Sequence, residues 1–377
     1  MSSIGFVSSS LQGSGGLERF ELEIARGLAE LGWQISILYN DDGDLSAEWA
    51  RFARMARRAD ISGPGAASPE RNPLVDSDLL YCHAPSLFAE TLEFGDVLGI
   101  PVVGHLHLPP EHLRKGIKGM VFGRTRGTVD PDVFSRRTRV RRFIAVSNAM
   151  RQQWCATGLP ADRVDVVHNG IDLGTYQPAD TATRSKVRRE IGLDDDALLL
   201  AYIGRIDPMK GIGELIEAFG LLPASERSVH LAIIGSPSRY LAEEGERFVS
   251  HLSSTAPPSV HWLGQRSDVA RLYAAIDVLV VPSQWDEPFG LVAAEAMASG
   301  VCVVAADRGG LPEILRDDLR VNVVEPTPAA LGARLHQLIA QPARIAEFGR
   351  RGREVVAEHF DLRDTIERID KSLRSAM

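Results

Sequence analysis

The chain has 377 residues, of which 44% are hydrophobic, and its formal net charge is −8. This length predicts roughly two domains with a core each, and the acidic balance argues against a general nucleic-acid binder. No segment approaches the ~18 consecutive apolar residues of a membrane-spanning helix, and the first residues have the pattern of a strand rather than a signal peptide. The sequence therefore predicts a cytoplasmic protein with at most peripheral membrane contact.

Short apolar runs alternate with helical patterns along the whole chain. The runs are Ile4–Val7, Ile35–Tyr39, Leu79–His83, Val102–His107, Phe143–Val146, Val164–His168, Leu198–Ile203, Val229–Ile234, Val260–Leu263, Val278–Val281, Val301–Ala305 and Val321–Val324. Alternation of this kind predicts an α/β protein with parallel sheets covered by helices on both faces. A polar stretch between the two series, Gln177–Arg184, is the candidate linker.

Three glycines, Gly13, Gly15 and Gly16, lie between the first apolar run and a helical pattern that begins near Leu17. Their bare backbone could approach a phosphate at the helix N-terminus. A dinucleotide-binding oxidoreductase would explain them too, but Glu18 occupies the place of the third glycine in that fingerprint. The oxidoreductase is therefore the weaker enzyme interpretation.

Histidines end two neighbouring apolar runs. His105 and His107 belong to the run Val102–His107, where alternation places them on one face of a strand, and His83 ends the run before it. A lone histidine in such a position is more often a surface or satisfied core group than a ligand. We expect His107 to be the first candidate for a substrate contact, with His105 behind it and His83 as a further candidate.

Two acidic clusters, Asp41–Asp44 and Asp194–Asp196, raise the question of a metal site. Both have the composition of solvated turns, and the second precedes a strand with no phosphate-binding loop nearby. Cys82, Cys155 and Cys302 are too few and too scattered for a zinc site or a disulfide framework. We therefore predict that the protein needs no metal and no other cofactor.

A basic segment runs from Glu111 to Arg142 and holds ten Lys or Arg residues against three acidic residues. Two interpretations stay open for this local excess of positive charge. It is either a solvated loop followed by a surface helix, or a surface that attracts an anionic partner such as a phosphorylated or lipid-linked acceptor or an acidic membrane.

A loop with two cations follows the run Leu198–Ile203. It reads Gly204-Arg205-Ile-Asp-Pro-Met-Lys210-Gly211 and precedes an amphipathic helical pattern. Arg205 offers a rigid fork for a phosphate, and Lys210 offers a mobile point charge. Together they could hold a diphosphate without a metal.

Two carboxylates, Glu287 and Glu295, lie eight residues apart across a loop-to-helix junction. The helix that begins between them leaves the backbone N–H groups of Phe289, Gly290 and Leu291 at its N-terminus, where they favour an anion. Carboxylates next to such a terminus suit a ligand that carries both hydroxyl and phosphate groups.

These motifs resemble those of the retaining nucleotide-sugar glycosyltransferases of family four, also called glycosyl transferases group 1. The motifs are Gly204-Arg205, Lys210-Gly211 and Glu287-Pro-Phe-Gly-Leu-Val-Ala-Ala-Glu295, with Gly15-Gly16, His168-Asn169-Gly170 and Gly309-Gly310-Leu-Pro-Glu313 as further matches. The resemblance covers most of the chain and is strongest from about residue 143 to 315. A glycine turn common in the family after the last motif is replaced here by Arg316-Asp-Asp.

The resemblance implies the GT-B fold, in which two doubly wound Rossmann-like domains face each other across a cleft. It implies an acceptor-binding domain at 1–175, a donor-binding domain at 176–361 and a final helix at 362–377 that returns to the first domain. The reaction implied is metal-independent transfer of a sugar from a nucleoside diphosphate to an acceptor hydroxyl or amine, with retention of configuration.

The resemblance also assigns roles to residues. It implies catalytic roles for His107 against the transferred sugar, for Arg205 and Lys210 on the diphosphate, and for Glu287 on the sugar hydroxyls. Substrate-binding roles fall on Gly15, Gly16, Phe289, Gly290, Leu291 and Glu295, the last of these on the ribose. Two alternatives stay open: a nucleotide-sugar epimerase on the same fold, and a nucleotide-sugar binding protein without catalysis.

Overall fold

The computed structural model describes residues 2–13, 16–61, 66–68, 72–83, 87–110, 140–223, 228–237 and 242–377. The chain forms two compact units. One unit contains Met1–Gly170 and Arg363–Met377, and the other contains Ile171–Leu362. The sequence predicted the first boundary after residue 175, five residues later than the structure has it. It predicted the second boundary after residue 361, one residue earlier than in the structure.

The first unit is built on a seven-stranded sheet with the order β3-β2-β1-β4-β5-β6-β7, in which every pairing is parallel. Its strands are β1 Ser3–Ser10, β2 Gln34–Asp41, β3 Met55–Arg58, β4 Leu79–Cys82, β5 Val102–Leu106, β6 Val140–Ala145 and β7 Val164–Val166. Its α-helices in the described residues before 171 are α1 Gly16–Glu30, α2 Ser46–Trp49, α3 Phe88–Leu98 and α4 Asn148–Cys155.

The second unit contains a six-stranded parallel sheet with the order β10-β9-β8-β11-β12-β13. Its strands are β8 Leu198–Ile203, β9 Val229–Ile234, β10 Val260–Gly264, β11 Val278–Val281, β12 Cys302–Ala306 and β13 Val323–Val324. Its helices are α5 Thr181–Glu190, α6 Ile212–Gly220, α7 Ala242–Thr255, α8 Val269–Leu272, α9 Leu291–Ala298, α10 Leu311–Ile314, α11 Pro328–Ile339 and α12 Pro342–His359.

Each apolar run predicted from the sequence overlaps one of these strands. The central strands are buried on both faces, as parallel sheets require, because helices cover both sides. Strand β3, with the sequence Met-Ala-Arg-Arg, was not predicted. It is a largely exposed edge strand that pairs only with β2, so it lacks the apolar pattern that marks the central strands.

The last helix, α13 Leu362–Arg374, packs on the first unit. Ile366 lies so close to Gly27 of α1 that a Cβ at that glycine would come within 2.3 Å of the isoleucine Cδ1. The Trp33 indole donates to Asp370 at 2.6 Å, and the Ser372 hydroxyl donates to Asp165 at 2.5 Å. These contacts explain why residues after 362 group with the beginning of the chain.

The stretch proposed as a linker, Gln177–Arg184, is only partly irregular. Asp180 caps helix α5 by accepting a hydrogen bond from the Thr183 backbone N–H, so the helix begins at Thr181. None of the helices in the described ranges has both the length and the apolar character needed to cross a membrane.

Candidate active site

In the second unit, the cationic loop and the carboxylate loop leave the sheet side by side. Strand β8 lies between β9 and β11, so the strand order reverses at the gap between β8 and β11. Ligands of open parallel sheets bind outside the carboxyl ends of the strands at such a reversal. Arg205 and Lys210 follow β8, and Glu287 follows β11, so the residues predicted to bind the donor flank this position.

The cationic loop has a fixed backbone. Asp207 accepts a hydrogen bond from the Met209 N–H at 2.8 Å and begins a single turn of 3₁₀ helix that ends at Lys210. Gly211 then takes a left-handed conformation, with φ of 74°, and a Cβ there would lie 1.9 Å from the Pro282 carbonyl oxygen. The backbone N–H of Gln284 donates to the Met209 carbonyl at 2.9 Å. Only glycine at 211 therefore allows the two loops to meet this closely.

Glu287 is the centre of the contacts between these loops. Its Oε1 accepts from the Lys210 ammonium at 2.6 Å, the Ser283 hydroxyl at 2.5 Å and the Trp285 indole N–H at 3.0 Å. Its Oε2 accepts no hydrogen bond from any described residue. The carboxylate is therefore held through one oxygen, and the other oxygen is available to a ligand.

Lys210 differs from the mobile point charge expected from the sequence. Its Nζ lies 4.6 Å from the centre of the Trp285 ring as well as 2.6 Å from Glu287, and the side chain is only 16% exposed. An ammonium group has three donor hydrogens, and the contact with Glu287 occupies one of them. The charge is therefore fixed in place while donor capacity remains for a ligand.

The backbone of Glu287 is held by the loop after β12. The Gly310 N–H donates to the Glu287 carbonyl at 2.7 Å. Gly309 has a φ of 55°, and a Cβ at that position would lie 2.2 Å from the same carbonyl oxygen. The sequence indicated these glycines only as a family motif, whereas the structure gives them a function in positioning the carboxylate.

Arg205 stands at the exposed side of the cationic loop. Its side chain is 46% exposed, and its Nη2 lies 3.5 Å from the buried carboxylate of Asp207. The Tyr202 hydroxyl donates to the Arg205 carbonyl at 2.5 Å and holds the backbone. Nearly half of the Arg205 side chain is therefore exposed, and its guanidinium keeps donor hydrogens for an anion.

The predicted anion position at 289–291 is the start of helix α9. The helix begins at Leu291, and Gly290 precedes it with a φ of 109°. The Phe289 side chain is buried, and its ring centre lies 5.6 Å from that of Phe360. The phenylalanine thus belongs to the core, and only its backbone can contribute to ligand binding.

Glu295 lies in a different environment from Glu287. Its Oε2 accepts from the Tyr273 hydroxyl at 3.0 Å, and Tyr176 provides a second hydrogen bond. Burial raises the pKa of the Glu295 carboxyl, and the two tyrosine hydrogen bonds offset part of that rise. Neither tyrosine was predicted as part of the site, because neither lies next to a motif.

In the first unit, the strand order reverses between β1 and β4. Gly16 begins helix α1 beside this position, and Gly15 lies outside the described residues. The Gly13 N–H donates to the Asp44 carboxylate at 2.5 Å. Asp44, which the sequence placed in a solvated turn, therefore also holds the glycine loop.

His107 is buried together with the other two histidines named above. Its ring centre lies 4.0 Å from that of His105 and 4.2 Å from that of His83. Burial lowers the pKa of all three imidazoles, that of His83 to about 3, so the rings are neutral near pH 7. His107 can therefore form hydrogen bonds as a neutral imidazole, but it does not offer the positive charge of an imidazolium near pH 7.

Two family models match most of the chain. Residues 14–175 match the model for glycosyltransferase family 4, and residues 183–355 match the model for glycosyl transferases group 1. The D-inositol 3-phosphate glycosyltransferase of Segniliparus rotundus is 35% identical over 57% of this chain and 47% of the relative. The alpha-maltose-1-phosphate synthase of Mycolicibacterium smegmatis is 35% identical over 58% of each chain. The chain thus spans about half the length of the curated relatives it matches.

Similar solved structures cover the whole chain. The Anabaena protein HepE in complex with UDP and glucose has a TM-score of 0.84 at 21% identity, with 100% of both chains covered. The sucrose-phosphate synthase of Thermosynechococcus elongatus has a TM-score of 0.77 at 20% identity, with 99% of this chain and 98% of the other covered. Both halves of the chain match the family models, and the chain shares its fold with these structures. The chain therefore belongs to the family four and group 1 glycosyltransferases and has the GT-B fold.

Proposed function

We propose that the protein transfers a sugar from a nucleoside-diphosphate sugar to an acceptor hydroxyl or amine, with retention of anomeric configuration and without a metal. The observation that carries this proposal is the Glu287 carboxylate, whose Oε1 accepts hydrogen bonds from three donors, Lys210 among them, while its Oε2 stays available to a ligand. A carboxylate oxygen held in this way selects hydroxyl groups by direct hydrogen bonds. The family membership and the UDP and glucose bound to HepE support the same substrate class.

The reaction depends on charge that develops on the leaving group. As the glycosidic bond breaks, negative charge grows on the diphosphate. Arg205, Lys210 and the backbone N–H groups at 289–291 are the donors that would stabilise this charge. Because the contacts of Lys210 and Gly211 fix the loop before any ligand binds, little reorganisation is required during the reaction. In this mechanism the departing phosphate takes the proton of the acceptor on the same face of the sugar, so no side chain is required as a general base.

The two carboxylates have separate roles in this proposal. Glu287 holds hydroxyls of the transferred sugar, and Glu295 holds the ribose. The tyrosines around Glu295 support a neutral, hydroxyl-rich partner there, since no cation contacts that carboxylate in the described residues. In the first unit, Gly15, Gly16 and His107 are the proposed contacts to acceptor and sugar.

The chemistry of the acceptor depends on residues that the structure describes only in part. Of the basic segment from Glu111 to Arg142, residues 111–139 lie outside the described residues. Arg142 donates to the Asp162 carbonyl at 2.8 Å and to the Ser375 hydroxyl at 3.1 Å, so it stabilises the first unit. An anionic or lipid-linked acceptor and peripheral membrane contact stay predictions. Binding to anionic vesicles that weakens with rising salt, and weakens further in the Arg136→Gln, Arg137→Gln double variant, would support them.

Donor binding and transfer can be tested separately. A panel of nucleotide sugars is first screened by thermal shift, since a ligand at about 100 times its Kd adds ~2.7 kcal/mol of stability. The donor that stabilises the protein is then incubated with and without candidate acceptors, in buffer with and without a chelator, and the product anomer is assigned by NMR.

We expect nucleotide release that depends on an acceptor, a product with the donor's anomeric configuration, and no loss of rate with the chelator. Lys186→Ala, at an exposed position on helix α5, is the matched control for Lys210→Ala and should behave like the wild type. A product of inverted configuration would overturn the proposed retention. Activity that is lost with the chelator and restored by magnesium or manganese would overturn the proposed metal independence. Conversion of the donor to an isomer without an acceptor would instead favour the epimerase.

A further inference from the structure

The three buried histidines of the first unit lie where two strands end next to each other. Strands β4 and β5 pair in a parallel register, Leu80 with Val102 and Cys82 with Gly104, which brings the next residues, His83 and His105, together. His107 follows His105 by two positions and so lies on the same side of the chain. One ring nitrogen from each histidine lies within 4.8 Å of the others.

Two of the three rings make hydrogen bonds of the kind that metal-binding histidines make through their second nitrogen. The His83 Nε2 lies 3.2 Å from the Leu17 carbonyl oxygen, and the His105 Nδ1 is hydrogen-bonded to the Tyr81 hydroxyl. Histidines that bind a metal usually donate their other nitrogen to a partner of this kind, which fixes the ring and its tautomer.

The other ring nitrogens are placed to bind a common metal ion. The His83 Nδ1 lies 3.2 Å from the His107 Nε2. Two nitrogens on one tetrahedral zinc ion, each 2.0–2.1 Å from it, would be roughly 3.4 Å apart. The His105 Nε2 is buried and has no hydrogen-bond partner among the described residues, which is costly for a polar atom. A metal bound between the three rings would satisfy this nitrogen.

We propose that His83, His105 and His107 form a binding site for a divalent transition metal of the zinc class, with the fourth ligand position left for water or a small anion. The neutral state of the three rings fits this chemistry, since imidazole binds metals in its neutral form. On binding, the metal takes the place of the proton between the His107 Nε2 and the His83 Nδ1, and that proton moves to the His107 Nδ1, so that each ring stays neutral and no net proton is released.

The site has a consequence for catalysis that rests on the proposed function. His107 is the proposed contact to the transferred sugar, and a divalent charge on its Nε2 would oppose the positive charge that develops on the sugar as the glycosidic bond breaks. The metal therefore inhibits transfer and leaves the binding of the free nucleotide in the second unit unchanged. This inhibition is compatible with a reaction that needs no metal.

Metal binding is tested on the full chain, free of affinity tags and stripped with a chelator. Addition of Co²⁺ should produce the visible absorption of tetrahedral cobalt with a stoichiometry of one per chain, and Zn²⁺ should abolish it. His105→Ala should weaken binding by at least about 100-fold, and Tyr81→Phe, which keeps the ring but loses the hydroxyl, by about 10–100-fold. Circular dichroism checks that each variant is folded.

The matched control is a second histidine pair. His230 and His261 lie 2.8 Å apart through ring nitrogens in the second unit, but no third ligand accompanies them in the described residues. His261→Ala should leave the cobalt spectrum unchanged. Absence of the tetrahedral band, or equal metal binding by the wild type and folded His105→Ala and Tyr81→Phe variants, would overturn the proposed site. A normal cobalt spectrum without inhibition of transfer would instead leave the metal site standing and remove the sugar contact assigned to His107.

Discussion

Lys210 and Glu287 are 77 positions apart in the chain, and the lysine Nζ lies 2.6 Å from the glutamate Oε1. Both side chains are largely buried, at 16% and 11% exposure. A pair of this kind is a weak source of stability, since removing both charges from water costs much of what their attraction returns. Its value here is positional, because each residue orients the other for a ligand.

The cations should be required for turnover. We expect Lys210→Ala and Arg205→Ala each to lower kcat by about 10²–10³, because each removes a donor that strengthens its contact as the diphosphate departs. Steady-state rates at saturating donor measure this, with Lys186→Ala as the control. Rates near that of the wild type in both variants would contradict the assignment.

Trp285 contributes both an N–H group and a ring. In Trp285→Phe the donor to Glu287 is lost but an aromatic face remains for the Lys210 ammonium, whereas Trp285→Leu loses both. We expect kcat/KM to fall in Trp285→Phe and to fall by a further factor of about 2–5 in Trp285→Leu, which corresponds to a cation–π contribution of ~0.5–1 kcal/mol. Equal values in the two variants would show that the ring face has no effect.

The two carboxylates should give different phenotypes. Glu295→Gln should weaken binding of the free nucleoside diphosphate, since its proposed partner is the ribose. Glu287→Gln should chiefly lower the rate of sugar transfer, since it loosens the contacts of Lys210 and the sugar. Calorimetric titration with the nucleotide and steady-state kinetics distinguish these effects. The same loss of nucleotide affinity in both variants would mean that the roles are divided wrongly.

Gly309 should be required for the position of Glu287. An alanine there adds a Cβ 2.2 Å from the Glu287 carbonyl oxygen, at a φ of 55°. The matched control is Gly192→Ala, since Gly192 has a φ of 75° but no atom within 4 Å of its added Cβ. The control should lose about 1–2 kcal/mol of stability through backbone strain alone and keep its activity.

Gly309→Ala should lose more stability than that control, and its turnover should fall. Denaturant unfolding and kcat measure the two effects. Equal stabilities and unchanged turnover in the two variants would show that the close approach does not position the carboxylate.

The buried acid Glu21 should make stability depend on pH. Burial raises the pKa of its carboxyl to about 8, and the Ser8 hydroxyl donates to its Oε2 at 2.9 Å. The folded state therefore keeps the proton up to about pH 8, while the unfolded chain releases it above about pH 4.5. The free energy of unfolding consequently falls as pH rises through this window, by at most ~1.4 kcal/mol per pH unit.

Glu21→Gln removes this dependence. The difference in Tm between the variant and the wild type should grow from about pH 5 to about pH 8 and then level off. The buried histidines titrate in the opposite sense at lower pH, but they are the same in both proteins and cancel in the difference. Glu30→Gln, at the exposed end of the same helix, is the control. A Tm difference that is constant with pH would contradict the raised pKa.

Local sequence was sufficient to predict most of the fold. Fully buried parallel strands such as Leu198–Ile203 and Val278–Val281 require continuous apolar residues, and the runs in the sequence mark them to within a residue or two. Strand β3 was missed because an edge strand buries little and needs no such run. The glycines and charges of the motifs also predicted which loops carry the candidate site, since these residue types follow the strands directly.

Only the tertiary structure decided how those residues meet. The strand order places β8 next to β11, and this adjacency brings Lys210 to Glu287 and fixes a side chain that the sequence suggested would be mobile. The parallel register of β4 and β5 likewise joins His83 to His105 and His107, and the tyrosines that hold Glu295 come from distant segments of the second unit. Such contacts depend on strand order and register between segments far apart in the chain, whereas the local pattern of apolar and polar residues determines only which segments form strands and helices.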